Sequence, residues 1–192
     1  MNLPNKLTLL RIILTFIFMP LLFLPDVWAK LGALAVFTLA SLTDFYDGRI
    51  ARKKNQITSF GKLMDPIADK ILILSALLAF VQMQLVSAWM VVLIMSREII
   101  ITGVRMLAMT KGKVLAAEAA GKHKTVSQMV AIFAILLFLL LREIMFKLAM
   151  WPQHWERYFS IGIWLLMIVT VGLTLVSGIS FLWRQKNLWL NA

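Results

Sequence analysis

Four of the five aspartates in this chain lie between residues 44 and 69. The first pair belongs to Asp44-Phe45-Tyr46-Asp47-Gly48-Arg49-Ile50-Ala51-Arg52 and the second to Gly61-Lys62-Leu63-Met64-Asp65-Pro66-Ile67-Ala68-Asp69. The spacings, i to i+3 and i to i+4, put each pair on one face of a helix. A polar link, Lys53-Lys54-Asn55-Gln56-Ile57-Thr58-Ser59, can turn the chain between them. Two antiparallel helices so joined would point four carboxylates into one space. Carboxylates that close together stay ionised only beside a cation, and otherwise some take up protons. Hard divalent ions such as Mg²⁺ and Mn²⁺ prefer oxygen ligands, and two of them could share the cluster around a phosphoryl group. Gly48 and Gly61 fall where a bulky side chain would fill that space. The plainer alternative is a set of solvated helix-end aspartates beside a loop.

The elements that must position these residues are apolar. Of 192 residues, 61% are hydrophobic, well above ordinary globular usage. Successive apolar stretches run from about Ile12 to Leu24, Trp28 to Leu42, Ser59 to Val81, Ala88 to Ala108, Val126 to Leu141 and Phe159 to Trp183. The second is too short to cross a bilayer unless its helix continues through Arg52. That continuation would place the carboxylates near one end of the span, where they are less costly than at the midplane. Thr58 or Ser59 can cap the third helix, and Pro66 can kink it at Asp65. The fold expected is an all-α integral membrane protein, six transmembrane helices in a single domain over residues 1–192. A short amphipathic segment, Asn2 to Arg11, precedes the first span. A charged start before an apolar run also suits a secretory signal. No small-residue cleavage site follows Leu24, so a retained span is the reading taken.

Composition narrows the function. Cysteine is absent, which excludes disulfides and thiolate metal sites, and the two histidines, His123 and His154, are too few for a His-rich centre. His123 reads as a loop residue and His154 as a surface residue. The net charge of +11, in so apolar a chain, points to anionic lipid or substrate rather than nucleic acid. Zinc-finger, RNA-binding and Walker-type patterns are lacking. Lys6, Arg49, Arg52, Lys53, Lys54, Lys62, Lys111, Lys113, Lys122, Lys124, Arg184 and Lys186 fall on the side of the aspartates. Lys30, Lys147 and Arg157 fall on the other, with Arg142 near it. The positive-inside rule then puts both termini and the acidic motif in the cytoplasm. Trp151, Trp155 and Tyr158, in a loop expected over 142–158, suit a membrane interface.

A second polar group interrupts the fourth and fifth spans. Arg97 and Arg105, eight residues apart, share roughly one helix face. An arginine inside an apolar span needs a partner or an aqueous pocket. Either Arg97 pairs with a carboxylate while Arg105 reaches for the interface, or the two, with Lys122 and Lys124 of Gly121-Lys122-His123-Lys124-Thr125, form a basic pocket. Arginine suits the latter because its planar fork binds phosphate bidentately.

D-x-x-D-G-x-x-A-R, eight residues, then G-x-x-x-D-x-x-x-D is the hallmark of the CDP-alcohol phosphatidyltransferases. Asp44, Asp47, Gly48, Ala51, Arg52, Gly61, Asp65 and Asp69 match every position, so the chain resembles that family. Asn5, Thr8 and Arg11 of the opening, Arg97-Glu98-Ile99, Arg105, and Gly121-Lys122-x-Lys124-Thr125 with Gln128 are similar to its bacterial phosphatidylglycerophosphate synthase branch. The resemblance implies phosphatidyl transfer from CDP-diacylglycerol to sn-glycerol 3-phosphate in the bacterial inner membrane. Asp44, Asp47, Asp65 and Asp69 would hold two Mg²⁺ or Mn²⁺ ions, and Asp69 would also be the general base. Gly48, Ala51, Arg52 and Gly61 would line the CDP-lipid site. Arg97, Arg105, Lys122 and, less centrally, Lys124 would hold the acceptor phosphate. Asn5, Thr8 and Arg11 would either lie near substrate or anchor the chain at the interface. A homodimer is expected from the family alone. Rival readings are the same chemistry on inositol phosphate, serine or phosphatidylglycerol, and a divalent-cation transporter with the aspartates along its path.

Overall fold

The computed structural model describes residues 3–54, 59–110 and 119–185. Within its helices, the side chains of residues 3–5, 44–54, 59–66, 69, 109–110, 119–123 and 153 lie outside the description. Among the described residues there are six helices and no strands: α1 (Leu3–Phe23), α2 (Val27–Lys54), α3 (Ser59–Gln82), α4 (Ala88–Thr110), α5 (Ala119–Lys147) and α6 (Gln153–Arg184). The amphipathic opening is not a separate element but the first turns of α1, where Pro4 gives up only a donor that has no intrahelical partner. As the length argument requires, α2 runs on past Arg52. Helix α3 begins at Ser59 and continues through Pro66.

Among the described residues three helices are long and apolar enough to cross a membrane by length and composition: Lys6–Phe23 of α1, Lys124–Lys147 of α5 and His154–Arg184 of α6. Shorter apolar segments, Val27–Thr43 and Lys70–Gln82, belong to α2 and α3. Exposed Phe16, Trp28, Ile99, Val176 and Trp183 give the helices the apolar outer faces of an integral membrane protein.

Two expectations are corrected. His123 is not a loop residue, because α5 starts at Ala119; alanine, lysine and threonine there favour or tolerate helix, and Gly121 alone does not stop it. The 142–158 loop is also much shorter. Helix α5 continues through Arg142-Glu143-Ile144-Met145-Phe146-Lys147, a run without a breaker, and ends at a left-handed Ala149 with φ 52°. Ala149 N–H donates to Phe146 O (3.1 Å) and Met150 N–H to Met145 O (3.0 Å). These are the paired bonds of a Schellman stop, with alanine in the place glycine usually takes. Trp155 and Tyr158 therefore sit on the first turns of α6.

The helices form two compact units that interleave in sequence. One comprises residues 1–80 and 132–156, and the other 81–131 and 157–192. In the first, α1 packs on α2, and Phe18 and Leu22 of α1 and Ala29, Ala33, Phe37 and Ala40 of α2 are buried. Small residues on α2 let the two backbones approach. Phe37 joins Phe18 (centroids 5.6 Å apart) to Phe133 of α5 (5.3 Å, edge-on). In the second unit the core is Met90, Val91, Ile94, Ile101 and Ala108 of α4, Ala131 of α5, and Ile163, Met167, Val171 and Phe181 of α6.

Candidate active site

The acidic motif is divided between two consecutive helices of the first unit. Asp44, Asp47, Gly48, Ala51 and Arg52 lie in the C-terminal part of α2, and Gly61, Asp65 and Asp69 in the N-terminal part of α3. Their side chains, like that of Lys122 at the start of α5, are among those outside the description. The backbone thus meets the first requirement of the spacing argument, since both halves are helical and each aspartate pair shares a face.

The approach to the motif along α2 is a ladder of hydroxyls bonded to their own helix. Thr38 Oγ1 donates to Leu34 O (2.7 Å), Ser41 Oγ to Phe37 O (2.8 Å) and Thr43 Oγ1 to Ala40 O (2.7 Å). Such back-bonding lets polar residues sit in an apolar span without an orphaned proton. On α1, Thr8, Arg11 and Thr15 form a buried polar face at i, i+3 and i+7, with Thr15 Oγ1 donating to Arg11 O at 2.9 Å. Burial of Thr8 and Arg11 argues against a purely interfacial anchor for those two residues, which would face headgroups and water.

The far end of the first unit has a different character. Asp26 precedes α2, and its Oδ2 accepts from the backbone N–H groups of Trp28 (2.9 Å) and Ala29 (3.3 Å), a helix N-cap. Its Oδ1 accepts from Lys147 Nζ at 2.8 Å. The Lys147 ammonium, helped by the two backbone donors, holds the Asp26 carboxyl below its ordinary value. Lys30 Nζ donates to Leu22 O, closing the C-terminal end of α1.

The second unit holds the predicted basic residues. Arg97 of α4 and Lys124 of α5 are both buried, and Arg105 of α4 is partly buried. Arg97 Nη1 meets Glu98 Oε1 at 3.3 Å, and Lys124 Nζ pairs with the same oxygen. Arg97 Nη2 donates to Ser177 Oγ of α6 at 2.8 Å. The Arg105 guanidinium lies over the Phe181 ring, 5.5 Å from its centroid. So Arg97 and Lys124 come together at one carboxylate among the described residues. Buried polar atoms are almost always hydrogen-bonded, yet four here have no such partner among the described residues. They are Arg97 Nε, Arg105 Nε, Gln128 Nε2 and Thr174 Oγ1. Guanidinium donors left over in this way are what an anion such as a phosphate would satisfy.

Glu98 and the α6 residues were not singled out from the sequence as site residues. A signal existed for α6: Thr170, Thr174 and Ser177 recur at i, i+4 and i+7 in an otherwise apolar span, and all three are buried. Thr170 Oγ1 donates to Leu166 O at 2.9 Å and reaches Ser127 O of α5 at 3.5 Å.

Comparison with known proteins agrees with the motif. Residues 1–176 match the family model described as CDP-alcohol phosphatidyltransferase. A Bacillus subtilis protein named CDP-diacylglycerol–glycerol-3-phosphate 3-phosphatidyltransferase is 42% identical over 190 residues, covering 92% of this chain and 91% of its own length. Proteins of the same name from Salmonella paratyphi A and Escherichia coli K12 are each 36% identical over 187 residues, covering 94% of this chain and 93% of theirs.

Proposed function

The chain belongs to the CDP-alcohol phosphatidyltransferase family, and from that premise we propose that it transfers a phosphatidyl group from CDP-diacylglycerol to sn-glycerol 3-phosphate, releasing CMP. The observation that carries the reading is the complete acidic motif, divided between the adjoining ends of α2 and α3. The relatives' names support this donor and acceptor. The whole chain is taken as one catalytic domain.

Four carboxylates and no softer ligand make a donor set suited to hard divalent cations. Asp44, Asp47, Asp65 and Asp69 would hold two Mg²⁺ or Mn²⁺ ions. Such ions, when bound, neutralise the diphosphate and the charge that gathers on the departing phosphate. Gly48 and Gly61 leave room for the CDP group, and Ala51 and Arg52 complete its lining. Asp69 accepts the proton of the acceptor's primary hydroxyl. The freed oxygen bonds to the phosphorus next to the diacylglycerol, and the bond from that phosphorus to the CMP oxygen breaks. Arg97, Arg105, Lys122 and Lys124 hold the acceptor's phosphate and orient its hydroxyl. Two uncommitted guanidinium donors, Arg97 Nε and Arg105 Nε, support that assignment.

The excess of lysine and arginine beside the motif supports a cytoplasmic face for the site and both termini, in the inner membrane of a bacterium. A homodimer is proposed on family resemblance alone, and mass measurement in detergent tests it.

The deciding experiment supplies purified protein with CDP-diacylglycerol, labelled glycerol 3-phosphate and Mg²⁺. Labelled lipid and CMP should form together, stop with EDTA, and fall by at least about a thousandfold in Asp69→Asn, the upper part of the range for losing a general base combined with a ligand. Unlabelled inositol phosphate, serine or phosphatidylglycerol should not replace the acceptor. Turnover by Asp69→Asn at the normal rate would remove Asp69 from the base role.

A further inference from the structure

Arg97 is held by α6 in two ways. Ser177 Oγ, buried, accepts a hydrogen bond from Nη2 at 2.8 Å. The next residue, Gly178, supplies space: a Cβ built there would lie 2.8 Å from Arg97 Cγ, 3.4 Å from Nε and 3.7 Å from Cδ. The stem of the arginine therefore crosses α6 directly over Gly178. The nearest atom, Cγ, is close to the root of the side chain, so rotating its far end would not relieve the clash. With Nη1 on Glu98 and Nη2 on Ser177, Nε is the guanidinium nitrogen that has no acceptor among the described residues.

We propose that Ser177 and Gly178 form a positioning pair that seats the Arg97 guanidinium so that Nε faces the phosphate of the acceptor. This rests on the reading of Arg97 as a phosphate ligand, and it assigns α6 a part in selecting a phosphorylated alcohol. The two residues touch the arginine and not the reacting atoms, so their effect is on the affinity for one substrate. Both lie beyond residue 176, where the family match ends.

The test measures KM for glycerol 3-phosphate and for CDP-diacylglycerol, with kcat, on purified full-length protein. Ser177→Ala should raise KM for glycerol 3-phosphate about tenfold, the size of one hydrogen bond to a charged group, and leave KM for CDP-diacylglycerol in place. Ser177→Thr, which keeps the hydroxyl, should stay within about threefold of the parent, since less than half the free energy of that bond is then at stake. Gly178→Ala should exceed Ser177→Ala in the same direction. In an Arg97→Ala background, Ser177→Ala should add nothing, the mark of two residues acting through one contact. Equal rises in both KM values, a full effect in the Arg97→Ala background, or no effect of Ser177→Ala would each overturn the positioning role. If Arg97→Ala itself leaves KM for glycerol 3-phosphate unchanged, the phosphate-ligand reading falls and the positioning role goes with it. If Arg97→Ala raises that KM and Ser177→Ala does not, only the positioning role falls. The Ser177 series decides the matter even if Gly178→Ala fails to fold.

Discussion

Among the described residues an ion pair and an ionic triad are built from the same groups and differ in kind. Asp26–Lys147 is half in solvent, with side-chain exposures of 42% and 55%, and it ties a helix cap to the end of α5. Arg97–Glu98–Lys124 is enclosed, with exposures of 9% for each cation and 16% for the carboxylate. The first gains little because water screens it and the carboxylate is already useful as a cap. The second must make up for the hydration of three charges, and a single carboxylate between two cations does so incompletely. An enclosed cluster with one carboxylate to two cations among the described residues is a poor device for stability and a good one for receiving an anion.

The sharpest way to break the contrast is Glu98→Gln. It strips the buried cations of their shared anion and should lower stability in detergent by about 3–5 kcal/mol, the range for breaking a buried pair. Thermal unfolding with and without glycerol 3-phosphate would show it, and the ligand should recover part of the loss by supplying negative charge. If Glu98→Gln is no worse than removal of Lys147, the pair and the triad are equivalent and the contrast fails. Arg105→Ala comes next. It should raise KM for glycerol 3-phosphate by about tenfold to a hundredfold, within the range for a charge-assisted contact, and change KM for CDP-diacylglycerol much less. Equal changes for both substrates would argue against a dedicated acceptor pocket.

The smallest effect belongs to the exposed pair. Lys147→Ala should leave turnover unchanged and shift the melting temperature only slightly. Its pH dependence has a definite sign. Lys147 and the cap donors depress the Asp26 carboxyl below 3.8, so its contribution is present above that value and disappears as pH falls through the lower folded-state value. Parent and Lys147→Ala melting curves should differ at neutral pH and converge below about pH 4. A gap that persists under acid would show that Lys147 acts through packing instead.

The sequence made the helices legible because the apolar runs and the caps agree. Ser59 starts α3, and the need for length carries α2 past Arg52. It misplaced the ends of α5 because composition was read as a boundary: Lys122, His123 and Arg142-Glu143 are polar, but none of them breaks a helix. Ala149 hid the true stop, since a left-handed cap is expected at glycine. The acidic motif was legible through its spacing. The basic pocket was legible only in part. Arg97 and Arg105 stand out in an apolar span, whereas nothing in the sequence marks Glu98 as the shared partner of two cations. Ser177 and Gly178 are too ordinary to notice until α6 is seen beside Arg97 within the same unit.

Helix α4 reaches the membrane before the groups that make its charges tolerable. It carries Arg97, Glu98 and Arg105 within 23 residues. Arginine near the centre of a span disfavours insertion by roughly 2.5–3.5 kcal/mol on translocon scales. Glu98 travels with it, but Ser177, which accepts from Arg97, is supplied by α6, which emerges from the ribosome later. A nascent chain that ends at Thr110 holds Arg97 without the Ser177 hydroxyl. Chains truncated before Ser177 should be the ones that quality-control proteases remove.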